Sequence, residues 1–295
     1  MLTVLERLRK GEILVADGAM GTMLFQEGLQ PGECPESYNL TRPEIVEELA
    51  RRYLEVGADI IQTNTFGASS LKLAEFGLDE KTEEINQRAV DVVRKAVGDQ
   101  AIISGSCGPS GRILEPYGDV SEEIIAASFQ RQMQALIHAG VDMICVETMI
   151  DLREATQAIR AAKGIDPRIP VIATMTFDDT LRGFYTVMGT SIEEAAEGLQ
   201  AAGADIIGSN CGNGIEIMVR IAQAMKASTS LPVMIQSNAG QPVGVGGQVN
   251  YPETPDLFAE KTRELIDTGV SIIGGCCGTN PAHIRAIRRV VTDTK

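Results

Sequence analysis

Short apolar runs alternate with amphipathic stretches along the whole chain. One form of the run occurs four times, as VGADIIQTN, AGVDMICVET, AGADIIGSN and TGVSIIGGC, starting at Val56, Ala139, Ala202 and Thr268. In each copy a glycine is followed by a small or β-branched residue, Asp or Ser, an apolar run and polar residues. The glycine is typical of the left-handed residue that closes a helix, and the apolar run is typical of a buried strand that ends in a loop.

Four further apolar runs lie between these copies. They are EILVADG from Glu12, AIISGSCG from Ala101, PVIATMTF from Pro170 and PVMIQSNAG from Pro232. An amphipathic stretch follows each of the eight runs, and TRPE at Thr41 and TSIEEA at Thr190 predict helix starts capped by Thr or Ser.

Eight strands that alternate with eight helices predict an α/β fold, a (β/α)₈ TIM barrel, as one domain over residues 1–295. A doubly wound open sheet is less favoured, because no G-x-G-x-x-G follows the first strand and the repeat continues evenly to the end. The longest stretches without a periodic pattern, 24–41 and 236–253, both follow strand ends, where binding loops occur in such barrels.

The formal net charge of −14 disfavours nucleic acid and anionic membranes as partners. No apolar run reaches the roughly 18 residues of a membrane span, and the first residues lack the features of a signal peptide. We therefore expect a cytoplasmic protein with reduced thiols, in which six cysteines indicate metal binding or catalysis rather than disulfides. Cys34, Cys107 and Cys145 lack cysteine or histidine neighbours at ligand spacing, which favours plain buried side chains.

In a (β/α)₈ barrel the carboxyl ends of all strands face one cavity, and the active site lies there. The residues at these predicted ends are mostly polar. In chain order they are Asp17–Thr22, Gln62–Phe66, Ser106–Gly108, Glu147–Thr148, Met175–Phe177, Ser209–Cys211, Gln236–Asn238 and Cys276–Cys277.

The motif GGCCGT, residues 274–279, has three local interpretations: a strained vicinal disulfide, small core residues, or two thiolates on one metal. Strands six and eight flank strand seven in the closed barrel, so Cys211 is expected in the same mouth as Cys276 and Cys277. Three protein thiolates around an open cavity are typical of a catalytic Zn²⁺ site with a vacant fourth position. The glycines beside the pair give its backbone the freedom to bend.

Zinc with three thiolates is a poor Lewis acid for water and is better suited to binding a fourth sulfur. A bound substrate thiol loses its proton and remains nucleophilic, so the expected chemistry is alkylation of a thiol by a carbon electrophile, with hydrolysis ranked second.

Asp17 and Glu147, at the ends of strands one and four, could together bind the α-ammonium group of a thiol-bearing amino acid. The alternative is that Asp17 caps a turn and Glu147 serves the barrel interior. The peptide N–H groups of Gly18–Gly21 could receive the α-carboxylate, or the glycines could simply form a tight turn.

Six motifs resemble the homocysteine S-methyltransferase family, and within it the homocysteine-binding module of cobalamin-dependent methionine synthase. They are DGAMGTML (17–24), ADIIQTNTFGAS (58–69), SGSCGPSG (104–111), ICVETM (144–149), GSNCGNG (208–214) and GGCCGT (274–279). The resemblance covers essentially the whole chain. It implies a (β/α)₈ barrel, Zn²⁺ on Cys211, Cys276 and Cys277, and homocysteine as the thiol.

The site expected from these arguments has catalytic and metal-ligating cysteines and a substrate-binding set. The substrate-binding set is Asp17, Gly18, Ala19, Met20, Glu147 and Asn210. The side-chain oxygen of Asn238 is expected as the fourth zinc ligand when substrate is absent; the alternative is a hydrogen bond that only orders the loop 238–250.

The chain departs from the cobalamin enzymes because it lacks their D-x-H-x-x-G motif and their further domains. The resemblance therefore implies that methylcobalamin, the expected methyl donor, is carried by a separate corrinoid protein or by missing folate and cobalamin domains. Three alternatives remain: S-methylmethionine or another sulfonium as donor, demethylation of other substrates onto a corrinoid, and a thiol- or zinc-binding module without turnover of its own.

Overall fold

Eight parallel strands form a closed barrel in the computed structural model, which describes residues 2–245 and 248–294. The strands are β1 Leu14–Val15, β2 Ile60–Gln62, β3 Ile102–Cys107, β4 Met143–Met149, β5 Val171–Met175, β6 Ile206–Gly214, β7 Val233–Asn238 and β8 Ile272–Gly275. They pair in the order β1-β8-β7-β6-β5-β4-β3-β2, and a parallel bridge between Ala16 and Ile60 closes β1 against β2. The predicted barrel is confirmed, and the doubly wound sheet is wrong.

A long helix follows each strand and covers the outside of the barrel. These helices are α1 Pro43–Glu55, α2 Thr82–Val97, α3 Glu122–His138, α4 Leu152–Ile165, α5 Ile192–Ala202, α6 Ile215–Ser228, α7 Pro255–Asp267 and α8 Pro281–Asp293. Ser191 caps α5 as predicted, since its hydroxyl accepts the Glu194 N–H at 3.2 Å. The cap predicted at Thr41 is wrong: Thr41 ends a preceding short helix, its hydroxyl donates to the Ser37 carbonyl, and α1 begins at Pro43.

Shorter elements occupy the connections. The helical ones are Val4–Arg9, Met20–Gln26, Pro35–Ser37, Tyr38–Thr41, Ser70–Ala74 and Asp79–Lys81. Asp178–Thr180 pairs with Gly183–Tyr185, and Val243–Val245 pairs with Gln248–Asn250, in two antiparallel hairpins. The stretches predicted to be irregular, 24–41 and 236–253, therefore contain short helices, the end of β7 and a hairpin; Gly246 and Gly247 lie outside the described residues.

The recurring glycine-containing motif has one structural role in all four copies. Its glycines have left-handed φ angles of 94°, 91°, 107° and 86° at Gly57, Gly140, Gly203 and Gly269, as predicted for residues that close helices. The aspartate of three copies then accepts the N–H of the preceding strand. The pairs are Asp59 with Val15 at 2.9 Å, Asp142 with Ile103 at 2.8 Å and Asp205 with Val171 at 2.9 Å.

The amino end of the barrel is filled. Buried apolar side chains from all eight strands pack together inside it, and the helix Val4–Arg9 covers them from below through Val4, Leu5 and Leu8. The space for a ligand therefore lies at the carboxyl end. None of the described helices has both the length and the apolar character that crossing a membrane requires.

The loop between β7 and α7 leaves and rejoins the barrel at one point. Ala239 donates its N–H to the Cys277 carbonyl at 2.9 Å, and Glu253 donates its N–H to the Ala239 carbonyl at 2.9 Å. The Glu253 carboxylate also accepts the Ile215 N–H at the start of α6. The two ends of this loop are thus fixed beside the turn that carries the cysteine pair.

Candidate metal and substrate site

A cavity of about 270 Å³ opens at the carboxyl ends of the strands. Residues from the ends of β1 to β4, β6 and β8 contribute to its wall. They include Asp17, Gly18, Ala19, Met20, Glu36, Gln62, Phe66, Ser106, Glu147, Thr148, Cys211, Cys276 and Cys277. One wall of this cavity carries thiols, and carboxyl groups lie on the other.

The three predicted cysteines meet at this cavity. Cys211 lies near the end of β6, and Cys276 and Cys277 follow β8, with β7 between them. Their Sγ atoms all lie within 4.8 Å of one another, and the Cys211 and Cys277 sulfurs are 3.8 Å apart. Cys34, Cys107 and Cys145 are buried elsewhere, in agreement with the bland role predicted for them.

Local backbone irregularities turn Cys211 and its partners toward the cavity. The pairing of β6 with β7 shifts register between Asn210 and Gly214, and Cys211 has a left-handed φ of 60°. Within β8, a Cβ on Gly274 would stand 2.8 Å from the Cβ of Ala16, so the strand can approach β1 only with glycine there.

The three thiols share negative charge unevenly. Hydrogen bonds from Cys276 and then Cys277 lower the pKa of Cys211, with a smaller contribution from the Asn238 side chain. The same interactions with Cys211 raise the pKa of Cys276 and of Cys277. The cluster thus stabilises one thiolate through hydrogen bonds from the two other thiols.

The donor set suits a thiophilic cation such as Zn²⁺. Three sulfurs converge, as a tetrahedral zinc centre with one variable position requires. Asn238, at the end of β7, is buried beside Cys211, and its Oδ1 has no hydrogen-bond partner in residues 2–245 and 248–294. A buried oxygen without a partner is unusual, and a cation would satisfy it.

Asp17 and Glu147 are both buried on the side of the cavity away from β7. Asp17 Oδ2 accepts the Gln62 N–H at 2.8 Å, but Oδ1 is buried without a partner in the described part of the chain. Burial, followed by the charge of Glu147, raises the pKa of Asp17 to about 8. Such a carboxyl group lacks a cation that would stabilise its charged form.

Glu147 is better connected than Asp17. Its Oε1 accepts from Gln62 Nε2 at 3.0 Å and from Ser106 Oγ at 2.5 Å, and its Oε2 accepts from Asn210 Nδ2 at 3.3 Å. Burial raises the pKa of Glu147 to about 7, although the Ser106 hydrogen bond lowers it. Its position is fixed while its charge remains unpaired, which suits a cationic ligand group.

Asn210 lies behind Glu147 rather than at the cavity surface. It is fully buried, and its Oδ1 accepts the Thr148 N–H at 2.8 Å and the Thr174 hydroxyl at 2.7 Å. Its Nδ2 donates to Thr148 Oγ1 at 2.7 Å. The amide predicted to contact substrate is therefore engaged by the protein.

The turn after β1 is attached to the cysteine-bearing turn. Ala19 donates its N–H to Thr279 Oγ1 at 3.2 Å, and Thr279 donates to the Cys276 carbonyl at 2.7 Å. Tyr53 donates its hydroxyl to the Ala19 carbonyl. A Cβ on Gly18 would stand 2.7 Å from Thr279 Oγ1 and 2.9 Å from the Tyr53 hydroxyl, so the glycine is required by close packing. The N–H of Ala19 is engaged and is not free for an anion.

Several contributors to the site carry no role in the sequence-based prediction. Gln62 and Ser106 stand at predicted strand ends but show no motif that links them to Glu147. Thr279 is part of GGCCGT, and only the fold brings it to Ala19. Glu36, from the stretch predicted to be irregular, is buried at the cavity wall and accepts the Gly67 N–H at 2.6 Å.

Comparison with known proteins supplies the family. The family model for homocysteine S-methyltransferase matches residues 14–291. The chain is 32% identical over 300 residues to a methionine synthase of Mycobacterium tuberculosis, with 96% of this chain and 25% of that protein covered, and 32% identical over 296 residues to the methionine synthase of Mycobacterium leprae. It therefore spans about a quarter of the length of these relatives.

Among solved structures, the metallated form of the homocysteine methyltransferase MmuM from Escherichia coli has a similar fold. The TM-score is 0.80 at 25% identity, and the match covers 96% of this chain and 98% of that one. With the family model matched from β1 to α8, the chain belongs to the homocysteine S-methyltransferase family.

Proposed function

We propose that this chain transfers a methyl group to the thiol of homocysteine and forms methionine. The observation that carries the proposal is the pairing of chemistries in one cavity. Three convergent cysteine sulfurs form one wall, and the other includes the buried carboxyl groups of Asp17 and Glu147, which form no ion pair with the described residues. An amino acid with a thiol side chain presents a sulfur at one end and an ammonium group at the other, and matches both walls.

Cys211, Cys276 and Cys277 would hold Zn²⁺, and Asn238 Oδ1 would complete the donor set without substrate. The metal, when bound there, would supply positive charge that keeps the substrate thiol deprotonated at neutral pH and still nucleophilic. An amide oxygen is a weaker ligand than a thiolate, so homocysteine sulfur would displace Asn238.

Asp17 and Glu147 would receive the α-ammonium group. Their pKa values, raised by burial to about 8 and about 7, show that the ionised forms lack a stabilising positive charge. The ammonium group would favour their ionised forms and so lower both values. The peptide groups at Gly18 and Met20 remain candidates for the substrate carboxylate; the N–H of Ala19 is already engaged by Thr279.

In the reaction the homocysteine sulfur donates an electron pair to the methyl carbon and forms the new C–S bond. The bond between that carbon and the donor breaks, and its electron pair stays on the donor. The thiol proton leaves to solvent when the sulfur binds. The residues of this chain orient the sulfur and hold the amino acid, while the donor supplies the methyl group.

A methyl donor carried by a protein, methylcobalamin on a corrinoid protein or on further domains, is our preferred donor. Large apolar side chains are exposed on the loops that surround the cavity. They are Phe25, Phe66, Ile113, Tyr117, Leu181, Val187, Val243 and Val249. Exposed apolar side chains on the loops around a site suit a protein-binding surface, whereas a small amino-acid donor needs none. The methionine synthases to which the chain is similar are about four times its length, which leaves room for such domains.

S-Methylmethionine, or another sulfonium, is the second candidate donor. It is favoured by the match to a homocysteine methyltransferase of which 98% is covered by this single barrel. We further propose that residues 1–295 act as one domain and that the protein works in the cytoplasm, where its six free cysteines would stay reduced.

The test is an assay of the zinc-loaded protein with L-homocysteine and, separately, free methylcobalamin or S-methylmethionine. Methionine formed from methylcobalamin supports the preferred donor, and methionine formed only from S-methylmethionine supports the second. Homocysteine binding without methionine from either donor would indicate a binding module. Cys276→Ser serves as the control, because it should form none.

A further inference from the structure

Thr148 has a backbone conformation that its side chain disfavours. Its φ is 61°, in the left-handed region, which is a genuine outlier for a β-branched residue. It follows Glu147 directly, at the point where the pairing of β4 with β5 shifts register between Val146 and Met149. Such a conformation persists only where surrounding contacts hold it.

One side chain makes two hydrogen bonds with Thr148. Asn210 Oδ1 accepts the Thr148 N–H at 2.8 Å, and Asn210 Nδ2 donates to Thr148 Oγ1 at 2.7 Å. The amide thus grips the backbone and the side chain of the same residue. The Thr148 N–H and Oγ1 would each lose a partly buried hydrogen bond if Thr148 returned to an ordinary φ.

Asn210 also joins three neighbouring strands at their carboxyl ends. It belongs to β6, accepts the hydroxyl of Thr174 on β5, and donates to the Glu147 carboxylate on β4. The next residue along β6 is Cys211, which also has a left-handed φ, of 60°. One buried amide therefore connects the carboxyl wall of the cavity with the strand that carries a cysteine of the thiol wall.

We propose that Asn210 and Thr148 form a clamp that positions the Glu147 carboxylate for the ammonium group of the substrate. The inference rests on the proposed function, because it needs Glu147 to bind that group. In this assignment Asn210 is a positioning residue and not a substrate contact. Its full burial and its engaged amide support that distinction.

Glycine at position 148 provides the decisive test, because glycine takes a left-handed φ without a Cβ penalty. Asn210→Ala should weaken L-homocysteine binding about tenfold or more, since Thr148 is then free to relax and to move Glu147. Adding Thr148→Gly to Asn210→Ala should recover at least about threefold of that loss. Calorimetric dissociation constants measure this. Asn210 Nδ2 also lies 3.9 Å from Cys276 Sγ, so affinities are compared only between proteins that metal analysis shows to be fully zinc-loaded.

A matched pair covers the case in which Asn210→Ala does not fold. Thr148→Ala and Thr148→Gly both lack the hydroxyl, and only glycine accepts the left-handed φ freely. Thr148→Ala should therefore bind homocysteine about fivefold or more weakly than Thr148→Gly.

Glu147→Gln separates this inference from the function on which it rests. If Glu147→Gln weakens homocysteine binding but glycine at 148 neither rescues Asn210→Ala nor outperforms alanine, the clamp is wrong. If Glu147→Gln binds homocysteine like the unchanged protein, the proposed role of Glu147 is wrong, and the clamp is wrong with it.

Discussion

Aspartates stand at both ends of the barrel in opposite surroundings. At the amino end, Asp59 accepts the Val15 N–H at 2.9 Å and forms ion pairs with Arg7, at 2.9 Å, and with Arg288. At the carboxyl end, Asp17 accepts one N–H, and its second oxygen has no partner among the residues described. The first carboxylate has its cations within the chain, and the second has none beside it in the part of the chain that the structure describes.

The contrast separates carboxylates that stabilise the barrel from the carboxyl groups that, in our proposal, bind a ligand. Asp142 and Asp205 repeat the arrangement of Asp59, with Arg94 at 3.2 Å and Lys163 at 2.7 Å as their cations. A buried charge without a partner lowers stability and is kept where a ligand supplies the partner. The same residue type therefore indicates structure at one end and binding at the other.

The largest effect is expected from the thiol wall. Cys276→Ser should reduce zinc from about one ion per chain to background and lower methionine formation by more than about 100-fold, because thiolates provide most of the affinity for zinc. Metal analysis and the methyl-transfer assay measure the two losses. Cys145→Ala, a buried cysteine outside the cluster, should keep zinc and serves as the control. A metal-free Cys276→Ser protein with full activity would contradict the assignment.

Substitution of Asp59 at the amino end of the barrel should change the free energy of unfolding and not substrate binding. Asp59→Asn should lower the free energy of unfolding by about 2–4 kcal/mol, because two guanidinium groups lose their common anion. Homocysteine affinity should stay within about twofold of the unchanged protein. Denaturant unfolding and calorimetry measure these quantities. Asp142→Asn, whose ion pair is more exposed, should cost less, and equal costs would argue against partial burial as the cause.

Substitution of the buried carboxyl groups at the carboxyl end of the barrel should weaken homocysteine binding. Asp17→Asn or Glu147→Gln should weaken homocysteine binding by about 10- to 150-fold, the equivalent of one charge-assisted hydrogen bond of about 1.5–3 kcal/mol. Zinc should remain bound in both variants. Calorimetric titration tests this, and unchanged affinity in both variants would favour a purely structural role for the two carboxyl groups.

Asp17 should also give a pH dependence of stability with a defined sign. Its pKa is raised from 3.8 to about 8 in the fold, so its contribution to stability is fully present below about pH 4 and is lost as pH rises through 8. Asp17→Asn should therefore be more stable than the unchanged protein by about 1 kcal/mol or more at pH 9, and equal to it near pH 4. Unfolding measured from pH 4 to pH 9 without substrate tests this sign. A variant that is less stable than the unchanged protein at pH 9 would contradict the prediction.

The smallest effect is expected at Asn238. Asn238→Ala should keep zinc and bind homocysteine within about threefold of the unchanged protein, since a water can replace a weak oxygen ligand. The unchanged protein should release about one proton when the homocysteine thiol ionises on binding. Calorimetry in buffers of different ionisation enthalpy counts that proton. Its absence, or loss of zinc in the variant, would argue against an exchangeable oxygen ligand.

Residue preferences within short segments and the count of strands were sufficient to predict most of the barrel. The glycines that close helices have left-handed φ angles as predicted, and strand order alone brought Cys211 to Cys276 and Cys277. Both results follow from short-range chemistry and from a closed topology, in which counting strands locates their ends.

Side-chain partners across strands could not be predicted in the same way. The sequence placed Asn210 in the substrate-binding set but gave no sign of the hydrogen bonds that its amide makes with Thr148 and Thr174. The left-handed φ of Thr148 contradicts the local preference of a β-branched residue, because contacts with other strands determine it. Thr41 failed as a cap because the proline two residues later sets where the helix begins.

Backbone hydrogen bonds close the loop from Ala239 to Glu253 at its base, and this closure determines where the loop can change in length. Two backbone hydrogen bonds join the ends of the loop, where Ala239 meets Cys277 and Glu253, and Gln241 Nε2 close by donates to the Gly212 carbonyl at 2.5 Å. Adding residues to a loop whose ends are already joined costs only slowly growing closure entropy. Insertions in the hairpin should therefore leave the cysteine pair in place. A substitution at Ala239 or Glu253, at the base of the loop, should displace the pair. Natural and engineered changes in loop length should therefore concentrate in the hairpin and not at the base of the loop.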